Sequence, residues 1–279
     1  MGMPAWQKYN QTYGYLPATK QTDNLPLHIW WPYYSQALYI LSQTFQAPDK
    51  EDIRALNTFV YCLFRLVPNV QFRGLFEDFV AMKPYVIKMI QTLAPNVFLS
   101  YSHLEYKLKH KPSDFFMESM QNKDNEALLI WVYLLNVFVA AIQQKINEQR
   151  VSNGLPAEPS IYLPNLNEIR VLYNKETLKI YDWSHPMWFI LHTTSLYAPQ
   201  PIEESFVLYA NMVRCLTKLL PCPKCRDHLA QNLQHLDFVG CQKTPENLFK
   251  CSWQLHNIVN KSTQKPLPSL QQAMSWYTF

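Results

Sequence analysis

Apolar side chains recur at intervals of three and four along most of the chain, the spacing of one helical face. The pattern predicts helices over Tyr33–Phe45, Lys50–Val67, Leu75–Ala94 and Asn125–Asn147. It resumes near Ser184 and predicts further helices over about 184–197, 202–220, 222–235, 246–262 and 269–277. Pro199, Pro201, Pro221, Pro266 and Pro268 stand at the boundaries, where proline is tolerated. Between Val151 and Asn167, Pro and Asn accumulate, as in a linker or a long covering loop. Val171–Tyr181 reads as a short hairpin turning at Asn174-Lys175-Glu176. The fold class expected is all-α. The longest apolar run, Ala127–Ile142, is about a turn short of a membrane span and carries Asn136, so it reads as a buried helix.

Composition narrows the choice of function. The chain has 279 residues, enough for two domains or one large one, and 48% are hydrophobic. Glycine occurs only 5 times against 20 prolines, and no G-x-G-x-x-G segment exists, so a dinucleotide fold of the Rossmann kind is excluded. A net charge of +4 is too mild and too evenly spread to imply nucleic acid. Met1–Thr22 has no basic region followed by an apolar run, and Gly2 lacks the Ser or Thr context of myristoylation. The expectation is a protein that is not secreted and not membrane-bound.

Six cysteines are too few for a disulfide scaffold, but Cys215, Cys222, Cys225, Cys241 and Cys251 cluster near the C-terminus. Cys222 and Cys225 are separated by two residues, so both sulfurs can meet on one turn as a disulfide or as metal ligands. Pro221 ends the preceding helix and Pro223 suits the first turn of the next. Cys222 therefore sits at a helix N-terminus, where backbone N–H groups stabilise a thiolate, and Lys224 and Arg226 add positive charge. Redox chemistry is favoured. Three alternatives stand beside it. One is an inert buried thiol pair. Another is a zinc site completed by two of His228, Cys241, Cys251 and His256, which would make the protein a zinc-stabilised helical interaction module. The last is a thioredoxin-like site, which a preceding helix disfavours.

Two further constellations share the C-terminal half. In the 246–262 helix, Leu248, Cys251, Leu255, Ile258 and Val259 form a stripe facing the core, while Trp253, His256, Asn257 and Asn260 fall opposite. An aromatic ring, an imidazole and two amides on one face can stack on and hydrogen-bond a flat heteroaromatic ligand. Trp188 and His192, four apart, share a face of the 184–197 helix.

The chain also echoes itself. Shifted by 153 positions, Asn57–Leu75 falls on Ala210–His228 with six of nineteen positions identical, among them Cys62/Cys215, Pro68/Pro221 and Arg73/Arg226. Asn69 and Phe72 stand where the second copy has Cys222 and Cys225. The expected domains are 1–170, a helical copy without redox cysteines, and 171–279, a catalytic unit.

Taken in order, Trp188-x-x-Leu191-His192, Pro221-Cys222-x-x-Cys225, His256-Asn257-x-Val259-Asn260 and Lys265-Pro266 resemble the FAD-dependent sulfhydryl oxidases of the Erv/ALR type over about residues 183–279. The resemblance implies a helical bundle holding FAD beside the dithiol. Cys225 would be the flavin-proximal sulfur and Cys222 the one that exchanges with substrate thiols. Trp188, His192, Trp253, His256, Asn257, Val259, Asn260 and Lys265 would line the cofactor, and no metal is implied. It also implies disulfide formation in thiol-containing substrate proteins, with molecular oxygen as acceptor and hydrogen peroxide as product. Departures are Ser184-His185 where the family often has Gly-Pro, the absence of a shuttle C-x-x-C, and the lack of any cysteine after Cys251 to tie the C-terminal tail. Such a form most resembles enzymes of large DNA viruses, the baculovirus type included, with a degenerate copy ahead of the catalytic domain. An internal pseudo-dimer, with or without a homodimer of whole chains, and a place in host cytoplasm, nucleus or virion follow as expectations.

Overall fold

A computed structural model describes residues 25–45, 49–95, 125–236, 239–242 and 244–279. The leader reading of Met1–Thr22 lies outside them. The described residues form α-helices joined by turns: α1 Leu27–Thr44, α2 Lys50–Arg65, α3 Val70–Val80, α4 Pro84–Leu93, α5 Asn125–Ser152, α6 Leu166–Leu172, α7 Ile180–Leu196, α8 Ile202–Leu219, α9 Pro223–Leu233, α10 Pro245–Ser262 and α11 Leu270–Ser275. A 3-10 turn, Val239–Gln242, precedes α10. The all-α expectation holds among them.

Two expectations need correction. The predicted helix over Leu75–Ala94 is broken. Met82 adopts φ 45, in the left-handed region, and Pro84 opens α4 with no N–H to give to the preceding turn. The hairpin at Val171–Tyr181 does not exist. Asn165 and Glu168 close a reciprocal capping box that starts α6, and only the turn after Tyr173 separates it from α7.

The chain divides into two compact units that interleave in sequence. One contains Leu27–Ile53 and Gly74–Leu178; the other contains Arg54–Arg73 and Lys179–Phe279, together with Leu25 and Pro26. In the first, α5 packs against α1 and α4. Trp31 donates its indole N–H to Asn136 at 2.6 Å, which satisfies the one polar side chain in the apolar run of α5. Phe79 lies edge-on to Trp131 and stacked on Phe138. α5 is long and apolar enough to cross a membrane, yet 78% of its most apolar stretch is buried within the fold, as in the core helix of a globular unit. The covering segment after α5 is pinned at Glu158, whose backbone exchanges two hydrogen bonds with Asn147. Its carboxylate meets His28, Gln143 and Arg150.

In the second unit α7 packs on α10, α8 on α9, and α9 and α11 on α10. α7 starts earlier than its apolar pattern suggested, because Pro186 sits inside it while Asp182 caps the backbone N–H of Lys179. Thr193, Thr194 and Ser195 are buried and return their hydroxyls to carbonyls of their own helix. Cys62 of α2 and Cys215 of α8 are both buried free thiols near each other, and burial pushes them up to about 12 and about 11.

Candidate functional site

α8 ends at Leu219, two residues before Pro221-Cys222-Pro223 turns the chain into α9. Cys222 is the N-cap of α9, and its sulfur accepts the backbone N–H of Cys225 at 3.1 Å. The two are joined as a disulfide, with Cα atoms 5.1 Å apart, and both are partly exposed. A helix N-terminus whose amides already face Cys222 stabilises the thiolate that exchange releases. Arg226 is anchored on the Lys218 carbonyl and holds positive charge near this turn.

The other cysteines of the cluster, Cys241 and Cys251, form a second disulfide that ties the 3-10 turn to α10. This bond has no precursor in the sequence reading, which sought a tail cysteine. With all four sulfurs bonded in pairs, and His228 exposed, the zinc alternative loses its thiolate ligands. Among the described residues no group of His, Cys, Asp and Glu could hold a metal.

α7 and α10 bring Trp188, His192 and His256 together. The Trp188 indole stacks on the His256 imidazole with centroids 3.9 Å apart and planes 5° from parallel. His192 Nε2 and His256 Nδ1 are 2.8 Å apart, and His192 Nδ1 lies 2.9 Å from Ser252 Oγ. Burial, then the neighbouring His256, keeps His192 far below the ordinary histidine range. Burial, then the positive charge of Lys265 and His185, lowers His256 to about 4. Both rings are neutral at physiological pH.

The rest of the predicted face is used differently. Trp253 Nε1 and Asn257 Nδ2 both donate to the Pro268 carbonyl, at 2.8 and 3.3 Å, and so hold the segment leading to α11. Trp253 also packs on the small core of Leu196, Phe249 and Ala273. Asn260 is buried rather than facing outward, while Ile258 and Val259 of the core stripe are only half-buried. Lys265 is exposed and its backbone N–H returns to the Asn260 carbonyl at 2.8 Å. Leu248, Cys251 and Leu255 are buried as expected. Sequence reasoning missed Ser252, although it lies four residues before His256 and shares its face. It also missed His185, which is one turn before Trp188.

A flat heteroaromatic ligand fits what remains. Asn257 Oδ1 is buried with no hydrogen-bond partner, an acceptor waiting for a donor. Beside it stand a neutral imidazole edge and the exposed ammonium of Lys265. Compared with protein families, residues 185–277 match the Erv1/Alr family.

This region is similar to an Erv1/Alr domain.

The chain is also similar to viral proteins named as putative or probable FAD-linked sulfhydryl oxidases. One from frog virus 3 (isolate Goorha) is 28% identical over 95 residues, covering 33% of this chain and 63% of that protein. Another, from Acanthamoeba polyphaga mimivirus, is 30% identical over 95 residues, covering 33% and 66%. A third, from Invertebrate iridescent virus 3, is 27% identical over 85 residues, covering 30% and 57%. The chain thus spans less than two thirds of these relatives' own lengths. No solved structure matches the chain.

Proposed function

We propose that this chain is an FAD-linked thiol oxidase that forms disulfides in substrate proteins. The observation that carries the reading is the Cys222–Cys225 disulfide, partly exposed at the start of α9, on a helix packed against the one that bears His256. A substrate thiolate attacks Cys222 Sγ, the Cys222–Cys225 bond breaks, and a mixed disulfide forms with Cys225 released as thiolate. A second substrate thiol attacks the mixed disulfide, its proton goes to solvent, and the substrate leaves as a disulfide. Cys222 and Cys225 are then both reduced, and the two thiolates become a dithiol by taking protons from solvent. The Cys225 N–H that faces the Cys222 sulfur lowers the cost of negative charge there in the second exchange, when Cys222 is the leaving sulfur. FAD, when bound, would supply the two-electron chemistry that links this dithiol to molecular oxygen, with hydrogen peroxide as the product. Trp188, His192, Trp253, His256, Asn257, Val259, Asn260 and Lys265 would hold it; the stacked Trp188–His256 pair and the unpartnered Asn257 oxygen support that assignment.

The first half of the chain would bind no FAD, because Asn69 and Phe72 replace the redox cysteines and Leu134 or Leu135 stands where His256 has its counterpart. It would act as a degenerate copy, packing where relatives dimerise; the grouping of Arg54–Arg73 with the Erv1/Alr domain supports this. Host cytoplasm or nucleus suits the protein. A glycan on the sequon Asn260-Lys261-Ser262 would have to attach to a buried side chain beside the cofactor face.

The test is the purified protein's own spectrum. A yellow chain that releases one FAD on denaturation is expected; colourless protein, or two FAD per chain, would overturn the reading.

A further inference from the structure

The helix–turn–helix that carries Cys222 and Cys225 occurs twice in the chain. Moved back by 153 positions, α9 falls on α3 end for end, and α8 falls on α2 to within a residue at each end. The two turns are built alike. Cys222 Sγ accepts the Cys225 N–H at 3.1 Å, and Asn69 Oδ1 accepts the Gln71 N–H at 3.1 Å. An arginine then reaches back across each turn: Arg226 donates to the Lys218 carbonyl at 3.0 Å, and Arg73 to the Val67 carbonyl at 3.1 Å. The first copy has no redox cysteines, so what both copies share serves the fold. Arg226 has its counterpart in Arg73, and Lys218 in Arg65. Lys224 has none, for Gln71 stands in its place.

Lys224 is also out of place for the stability of its own helix. It stands in the first turn of α9, at the positive end of the helix dipole, where a cation is unfavourable and an acid favourable. α2, α5, α6, α7, α8 and α10 all carry an acidic residue in that turn, and α9 carries none. Lys224 is exposed. Asp227, three residues on, is the acid nearest in sequence, and among the described residues neither of them forms an ion pair. Helix formation thus gives no reason for an ammonium here, and no neighbour neutralises it. What lies beside it is the disulfide, since Lys224 sits between two cysteines whose Cα atoms are 5.1 Å apart.

We propose that Lys224 is a specificity-determining residue that directs this turn to substrate cysteines flanked by Asp or Glu. It has that task only if the thiol-oxidase reading of the disulfide holds. From Lys218 to Asp227 the turn carries three cations, Lys218, Lys224 and Arg226, against one acid. Exposed charge of one sign around a docking point selects which partner arrives, and in which register, more than it sets how tightly the partner is held. An acidic segment can place a carboxylate against Lys224 while its cysteine meets Cys222; a basic segment meets like charge. The exchange itself is unchanged: the substrate thiolate still attacks Cys222 Sγ and releases Cys225.

The test uses the intact protein and three dithiol peptides that differ only in having Glu, Gln or Lys beside their cysteines, with dithiothreitol as an uncharged control. At low salt the wild type should oxidise the Glu peptide with a kcat/KM about tenfold above that for the Lys peptide. The gap should close in about 0.5 M salt. Lys224→Gln should narrow it by about threefold or more, Lys224→Glu should reverse it, and Lys224→Arg should keep it. The intrinsic reactivity of each peptide thiol cancels when variants are compared on the same peptides. A general loss of activity moves all three peptides together, so the Glu-to-Lys ratio reports charge selection. A ratio of one in the wild type, or a ratio that Lys224→Gln leaves unchanged, would overturn the proposal, while oxidation of dithiothreitol in the same samples keeps the oxidase reading. Failure to oxidise any thiol, dithiothreitol included, would overturn both.

Discussion

At the residue scale, the proposed chemistry rests on two sulfurs and one imidazole. Replacing Cys222 or Cys225 with Ser removes the only partly exposed disulfide at a helix start, so oxidation of dithiothreitol should fall to background while flavin absorbance per chain stays unchanged. A Cys225→Ser protein with wild-type turnover would contradict the assignment. His256 gives a second expectation. Its folded pKa, about 4, lies below the ordinary 6.5, so acid favours the unfolded chain. The stability it contributes is complete above pH 6.5 and erodes as pH falls toward 4, by up to about 3 kcal/mol. Histidine proton shifts followed from pH 8 to 3 should show His256 titrating near the bottom of that range; a midpoint at 6 would refute its burial. Cys222, Cys225, Trp188, His192 and His256 were legible because each sits at a fixed spacing along one helix. Ser252 was not, since its meeting with His192 depends on how α7 and α10 pack. The bonds of Trp253 and Asn257 to the tail were not legible either, because the carbonyl that takes their donors belongs to a proline eleven or more residues away.

At the element scale, boundaries followed caps that periodicity does not weigh. The residues that looked like a strand pair are the end of α6, the turn after it and the first residues of α7, and Asn165 with Glu168 marks where α6 begins. The Cys241–Cys251 bond was equally hidden: its closure of a ten-residue span depends on the 3-10 turn folding back beside α10. Such a short loop implies about 2–3 kcal/mol of stabilisation. Cys241→Ala with Cys251→Ala should therefore lower the melting temperature while sparing thiol oxidation, and a variant that melts like wild type would argue that the clamp is redundant. In α5, Asn136→Leu leaves the Trp31 indole N–H buried without its acceptor, with an expected loss of about 1–3 kcal/mol in denaturant unfolding. Tolerance of that change would mean that Trp31 finds another partner.

At the scale of the whole molecule, the unit that carries the Cys222–Cys225 disulfide is not contiguous. Arg54–Arg73 belongs with Lys179–Phe279, and Cys62 and Cys215, equivalent under the internal echo, lie near each other inside it. A fragment Ile180–Phe279 lacks that segment. It should be insoluble or newly oligomeric on a sizing column, because the surface that α2 covers becomes an exposed apolar patch. A soluble, monomeric and active fragment would show that α2 is dispensable. The echo was visible in the residues themselves, but the interleaving was not, since a repeat says which segments are alike and nothing about which compact unit each joins. The same interleaving sets a timetable for birth on the ribosome. The apolar face of α2 emerges early, whereas the helices it joins are among the last translated. At about 5–20 residues per second, that face waits roughly 10–40 s for its partners. During that wait the nascent chain depends on whatever in the cell shields an uncovered helix, so slower translation of the second half should lower the yield of folded protein.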